Sequence, residues 1–236
     1  MEPPIATLVK DAIAHPYSTF DREIVDYVPN TLSSIALVSC FGAGCLAMFA
    51  STHAIIQKYR PQLSFGDRFL MMWFVMCGFI HFFFEGYFAY NFEHMPSRTD
   101  LFGQLWKEYS LSDSRYQTKD SFVTCMEAIT AVAWGPLSFA IAYFILVDHP
   151  LRHPISIIVS LGQFYGDVLY YATCYFNEKV YNEIYCRPEA FYFYAYYVLM
   201  NAFWIVIPGG IIIQSVCATS KAFTHLQQTT KSKKKA

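Results

Sequence analysis

The sequence predicts an all-α, polytopic membrane protein: a bundle of five transmembrane helices with a capping loop between the second and third. Of its 236 residues, 55% are hydrophobic and only 15% are charged, whereas soluble domains carry about 25% charged residues. Several uncharged runs reach the roughly 20 residues that a helix needs to cross a hydrocarbon core about 30 Å thick. These two observations argue against a water-soluble protein.

The predicted elements follow from uncharged runs that are bounded by charges and turn formers. The spans are 31–52, 67–90, 121–147, 154–176 and 190–217. A polar segment, 1–30, precedes them, and a basic tail, 218–236, follows. The third and fifth spans contain Pro136 and Pro208. Proline can kink a transmembrane helix and shape a cavity where neighbouring groups satisfy the freed carbonyl.

The connections on one side of the membrane carry two further expectations. The 91–120 loop is too long and too rich in aromatic residues for a plain linker, so we expect it to fold as a cap. Cys174 and Cys186 lie near the same membrane surface. A disulfide between them is left open by the sequence.

Lysine and arginine residues predict the orientation, because short basic loops stay cytoplasmic. The basic connections are 53–68, 148–153 and the C-terminal tail. We therefore expect a cytoplasmic C-terminus and a luminal N-terminus. The chain ends in Lys233-Lys234-Lys235-Ala236, which resembles the dilysine retrieval signal of endoplasmic-reticulum membrane proteins. A basic run that fixes topology or meets anionic lipid is an equal alternative.

Three acidic residues remain inside the spans, where a charge costs roughly 2.5–3.5 kcal/mol. They are Glu85, Glu127 and Asp167. His81 lies four residues before Glu85, so the two share a helix face and can hydrogen-bond. Glu85 lies about six residues before the end of its span and Glu127 about seven after the start of the next, which predicts a common depth. This alignment favours one functional site, whereas Asp167 alone favours a structural hydrogen bond.

Such a set of side chains predicts proton-transfer chemistry. One buried carboxyl can donate a proton while another accepts one, and the indole of Trp204 can stabilise a cation. An acid, a base and a cation stabiliser fit double-bond migration through a carbocation. The remaining histidines show no clustered metal-ligand spacing, and no G-x-G-x-x-G or P-loop motif is present. We expect no metal and no cofactor, with a proton-coupled transporter as the alternative.

Five blocks of the sequence carry a more specific signal. They are CGFIHFFFEGYF (77–88), LWKEYSLSDSRY (105–116), CMEAITAVAWGPLS (125–138), GQFYGDVLYY (162–171), and MNAFW followed by IPG (200–209). In this order they resemble the emopamil-binding proteins, which are sterol Δ8–Δ7 isomerases of the endoplasmic reticulum with five transmembrane helices. The resemblance covers nearly the whole chain.

The resemblance implies a function and roles for eight residues. It implies catalytic roles for His81, Glu85 and Glu127, and substrate contacts for Tyr116, Met126, Thr130, Asn201 and Trp204. The implied reaction of sterol biosynthesis protonates carbon 9 and deprotonates carbon 7 of a Δ8 sterol. Implied partners are the Δ8 sterol, cationic amphiphilic drugs, membrane lipid, a second copy in a homodimer and 7-dehydrocholesterol reductase, with no nucleic acid. A non-catalytic sterol-binding, amine-binding or transport protein is the alternative, and the proton donor among the two glutamates is left open.

Overall fold

The computed structural model describes residues 15–18 and 23–234 of the chain, and within them every regular element is helical. The six longer helices are α1 (Ser34–Tyr59), α2 (Phe65–Asn91), α3 (Leu101–Tyr109), α4 (Ser121–Val147), α5 (Arg152–Tyr181) and α6 (Tyr192–Lys233). Helices α1, α2, α4 and α6 are long and apolar enough to cross a membrane. The all-α membrane fold is therefore confirmed. The predicted span 154–176 lies within α5, whose 30 residues are long enough to cross but less apolar, so the count of five crossings stays a prediction.

Polar caps determine where these helices begin and end. The side chains that accept a backbone hydrogen bond at the start of α1, α2, α3 and α4 are Ser33, Ser64, Asp100 and Asp120. Such caps satisfy amides that have no partner within the helix. Asp148 and Asn182 end α4 and α5 in the left-handed conformation, at φ values of 55° and 57°. Aspartate and asparagine tolerate this conformation better than most side chains do.

Three helices widen into π-helical turns. These turns are Ile80–Glu85 in α2, Thr130–Trp134 in α4 and Tyr192–Leu199 in α6. The amide of Gly86 bonds to the carbonyl of His81, and the amide of Gly135 bonds to the carbonyl of Thr130. Pro136 follows directly and has no N–H to offer the carbonyl four residues earlier, which accounts for the wide turn in α4. Turns of this kind are frequent at functional sites.

Helices α2 and α4 approach closely where these two turns meet. A Cβ atom added to Gly135 would lie 2.9 Å from the backbone nitrogen of Phe82, so a larger residue does not fit without a backbone shift. Trp134, one residue earlier, packs its indole in the same way on Gly162 of α5. These glycines allow α4 to lie against α2 and α5 around a common interior.

The segment 92–120, which we call the capping segment, folds over one end of the bundle as predicted. The Trp106 indole stacks on Phe84 of α2, with ring centroids 4.6 Å apart. Arg115 forms a salt bridge with Asp113 at 2.7 Å and donates a hydrogen bond to Thr173 of α5 at 2.8 Å. Burial opposes the charge of Arg115, but the Asp113 carboxylate raises its pKa above the ordinary value. The capping segment is thereby fixed to both α2 and α5.

Two other expectations concern the flanking regions. Cys174 and Cys186 are both free, so no disulfide joins them. The predicted tail from residue 218 continues α6 as a helix as far as Lys233. Most of the predicted polar segment 1–30, and the last two residues of the lysine-rich end, lie outside the described residues.

Candidate active site

A cavity of about 570 Å³ lies between α2, α4, α5, α6 and the capping segment. Small-molecule sites typically measure about 300–1,000 Å³ and have apolar walls with few polar groups. The walls here are largely aromatic and aliphatic. The eight residues predicted for the site all line this cavity: His81, Glu85, Tyr116, Met126, Glu127, Thr130, Asn201 and Trp204. The structure thus brings the predicted set together, while their individual roles stay predictions.

His81 lies at the centre of a hydrogen-bonded chain. Its side chain is 2% exposed, and its Nδ1 atom lies 2.8 Å from Oε2 of Glu85. Its Nε2 atom lies 2.8 Å from the side-chain nitrogen of Gln163 on α5. An amide N–H that donates to Nε2 leaves the imidazole proton on Nδ1, where it points to the Glu85 carboxylate. Gln163 thereby fixes the orientation of the ring.

Glu127 of α4 lines the same cavity as Glu85. It is 5% exposed, and the Tyr116 hydroxyl donates a hydrogen bond of 2.7 Å to its Oε1 atom. The two glutamates are close enough to interact electrostatically. Burial, reinforced by the nearby Glu127, raises the pKa of Tyr116 and keeps its hydroxyl protonated. Two carboxyls that line one cavity can serve a single bound molecule, one as proton donor and the other as proton acceptor.

The other polar lining groups are held in place locally. Asn201 donates hydrogen bonds to the Tyr109 hydroxyl at 3.1 Å and to a backbone carbonyl of α6 at 2.7 Å. Thr130 donates at 2.8 Å to a backbone carbonyl one turn earlier. The ring centroid of Trp204 lies 6.2 Å from that of His81. An aromatic face so close to the ionisable groups can stabilise a cation formed beside them.

Polar side chains outside the eight predicted residues also line the cavity, among them those of Gln163, Glu108 and Asp167. Gln163 contacts His81, and Glu108 accepts a hydrogen bond of 3.0 Å from Tyr196. Asp167 is 8% exposed, and its Oδ2 atom is buried with no donor among the described residues. The structural hydrogen bond expected for Asp167 is therefore not seen. The polar character of residue 163 inside an apolar span was the signal that could have identified the amide.

Comparison with known proteins gives consistent matches. The family model described as EXPERA (EXPanded EBP superfamily) matches residues 101–215. The 3-beta-hydroxysteroid-Delta(8),Delta(7)-isomerase of Rattus norvegicus is 36% identical over 203 residues, covering 86% of this chain and 87% of the relative. The proteins of the same name from Cavia porcellus and Mus musculus are 37% and 38% identical, with the same two coverages. Glu127, Asn201 and Trp204 lie inside the family-model match, whereas His81 and Glu85 precede it.

Proposed function

This chain belongs to the EXPERA (expanded EBP) superfamily, among the 3-beta-hydroxysteroid-Δ8,Δ7-isomerases, and from that membership we propose that it converts a Δ8 sterol to the Δ7 sterol. The observation that carries the proposal is the apolar cavity in which His81, Glu85 and Glu127 lie together. The reaction moves a double bond within one molecule. Proton donors and acceptors are therefore sufficient, because substrate and product have the same oxidation state.

Glu85 is proposed as the acid. Its carboxyl proton passes to carbon 9, where the π electrons of the C8–C9 double bond form the new C–H bond and leave a cation at carbon 8. The 2.8 Å contact with His81 supports this assignment, because the Nδ1–H group holds the Glu85 carboxyl in a fixed orientation toward the cavity. Exchange with water returns the proton to Glu85 between turnovers.

Glu127 is proposed as the base. Its carboxylate removes a proton from carbon 7, and the electrons of that C–H bond form the C7–C8 double bond and neutralise the cation. Tyr116 supports this role, because its raised pKa makes it a hydrogen-bond donor that stabilises the carboxylate rather than a proton donor. Exchange with water then removes the proton from Glu127 and restores the starting state.

Trp204 is proposed to face the cation at carbon 8, while Asn201 and Thr130 maintain the shape of the site. A desolvated aromatic face can contribute about 2 kcal/mol to binding a cation. A protonated amphiphilic amine resembles this cation among the same carboxylates, so cationic amphiphilic drugs are proposed as competing ligands. The same features also suit a non-catalytic sterol- or amine-binding protein.

One experiment separates the enzyme from the binding protein. Purified protein is incubated in deuterated water with a Δ8 sterol, and the sterols are analysed by mass spectrometry and NMR. A Δ7 product with deuterium at carbon 9 supports the isomerase, and its absence in a Glu127→Gln control assigns the conversion to this site. Stoichiometric sterol binding without any Δ7 product would instead establish the non-catalytic protein.

The proposed setting is the endoplasmic-reticulum membrane, with a cytoplasmic C-terminus and a luminal N-terminus. The excess of lysine and arginine in the tail and in the 53–68 and 148–153 connections supports this orientation. A homodimer and an association with 7-dehydrocholesterol reductase accompany the proposed function by family resemblance. Epitope tags at the two termini, probed after selective permeabilisation of the plasma membrane, test the orientation directly.

A further inference from the structure

If the proposed function is correct, the cavity must also bind the hydroxyl group of its substrate. The relatives are named for 3-beta-hydroxysteroids, whose ring system is apolar except for one alcohol at carbon 3. An alcohol that leaves water for an apolar cavity loses free energy unless it finds a hydrogen-bond partner. A polar lining group outside the proton-transfer set is therefore needed.

Most polar groups of the cavity already have partners. Asn201 is bonded to Tyr109, Thr130 to a backbone carbonyl, and Glu108 to Tyr196. Among the described lining residues, Asp167 and Gln163 each keep a buried carboxyl or carbonyl oxygen without a donor, Oδ2 and Oε1. Gln163 is already bonded to His81 of the proton-transfer set, which leaves Asp167, a residue that is 8% exposed. A buried carboxyl without a donor is the kind of group that a ligand hydroxyl can satisfy.

The position of Asp167 also suits the length of the sterol rings. It follows Gln163 by four residues on α5, so the two side chains share a helix face. Gln163 contacts His81, and Asp167 lies one turn further, a rise of about 6 Å. This offset is comparable to the two fused six-membered rings that separate the carbon 3 oxygen from the Δ8 double bond.

We propose that the Asp167 carboxyl accepts a hydrogen bond from the 3β-hydroxyl of the sterol and so determines the register of the ring system over Glu85 and Glu127. Helix α5 runs from Gln163 through Asp167 toward Thr173, which contacts the capping segment. Ring A therefore points toward the capping segment, and the reacting carbons lie beside His81. Asp167 is a specificity residue in this arrangement and takes no part in proton transfer to carbon.

The test compares a 3β-hydroxy Δ8 sterol with its 3-deoxy analogue in the wild-type protein and in Asp167→Ala. The wild type is expected to prefer the hydroxysterol by tenfold or more in kcat/KM. Asp167→Ala should remove this preference by lowering kcat/KM for the hydroxysterol, chiefly through KM, while the value for the deoxysterol stays unchanged. Asp167→Asn, which keeps a carbonyl acceptor and nearly the same volume, should retain part of the preference.

Glu108→Gln is the matched control, because it changes a second carboxyl of the same cavity. It should keep the preference for the hydroxysterol. An equal loss for both sterols in Asp167→Ala, an unchanged preference in that variant, or a preference lost only in Glu108→Gln would each overturn the proposal. If the wild type converts neither sterol, the proposed function fails, and the same comparison made on sterol dissociation constants then decides the role of Asp167 separately.

Discussion

The capping segment and the cavity beneath it both bury ionisable side chains, but the two regions differ in whether those side chains have partners of opposite charge. In the capping segment, Arg115 is 1% exposed and donates to both carboxylate oxygens of Asp113, to Thr173 and to the face of the Tyr170 ring. The buried charge of Arg115 thus has a partner of opposite sign. In the cavity, four carboxyls are accompanied by one imidazole, that of His81: they belong to Glu85, Glu108, Glu127 and Asp167.

This difference separates a structural network from a reactive one. A buried ion pair with all its hydrogen bonds made holds the chain in one arrangement, and its loss exposes an uncompensated charge. Carboxyls that outnumber their donors keep the capacity to bind protons, cations and hydroxyl groups. Substitutions in the capping segment should therefore act mainly on stability, and substitutions in the cavity mainly on turnover.

The largest effect is expected from the two glutamates. Glu85→Gln and Glu127→Gln each preserve side-chain volume but remove a proton donor or acceptor, so turnover of a Δ8 sterol should fall about 10²–10⁴-fold. The melting temperature in detergent should change little. Turnover close to wild type in either variant would exclude a direct proton-transfer role for that residue.

In the capping segment we expect a substitution to lower stability more than turnover. Asp113→Asn leaves the buried guanidinium of Arg115 without its counter-charge, which should lower the free energy of unfolding by about 3–5 kcal/mol. Glu178→Gln, in the exposed pair with Lys179, is the control and should stay within about 0.5 kcal/mol. Thermal unfolding of both variants provides the measurement. A stable Asp113→Asn protein that has lost only turnover would contradict the division between the two regions.

The sequence predicts those parts of the fold and the site that depend on residues close together in the chain, and it does not predict contacts between distant positions. Hydropathy is a local property, so it predicted α1, α2, α4 and α6, although α1 begins at Ser34 and extends to Tyr59 beyond the predicted end at 52. The i, i+4 spacing likewise predicted the contact of His81 with Glu85. The contact with Gln163 joins two helices separated by more than eighty positions, and no local pattern encodes it.

The π-helical turns illustrate a second limit. Pro136 in the third span indicates that α4 can kink, but the register of the hydrogen bonds around it depends on how Gly135 packs against α2. The continuation of α6 through the basic tail was also missed, because charge marks the end of an apolar span and not the end of a helix. Charged residues thus mark where a span leaves the membrane, whereas backbone hydrogen bonding determines where the helix ends.

Gln163 provides an intermediate test of the cavity network. Gln163→Leu removes the donor to Nε2 of His81 and leaves a buried ring nitrogen unpaired, at a cost of about 1–3 kcal/mol. Without this hydrogen bond the imidazole no longer holds a fixed orientation beside Glu85, so turnover should drop about tenfold to a hundredfold. Gln163→Asn keeps an amide N–H donor on a shorter side chain and should recover part of the activity. An equal loss in both variants would assign Gln163 to packing alone.

The smallest effect on turnover is expected from a substitution of Tyr116. This residue connects the two regions, because it belongs to the capping segment and donates a hydrogen bond to Glu127 in the cavity. Tyr116→Phe keeps the ring contact with Trp106, whose centroid lies 4.8 Å away, and removes only the hydroxyl. The loss of one hydrogen bond to a carboxylate should cost about 1.5 kcal/mol, which is roughly a tenfold decrease in turnover. The residual activity of Tyr116→Phe should be absent when Glu127→Gln is added, since the hydroxyl acts only through that carboxylate. A loss in Tyr116→Phe that equals the loss in Glu127→Gln would instead make Tyr116 a proton donor in its own right.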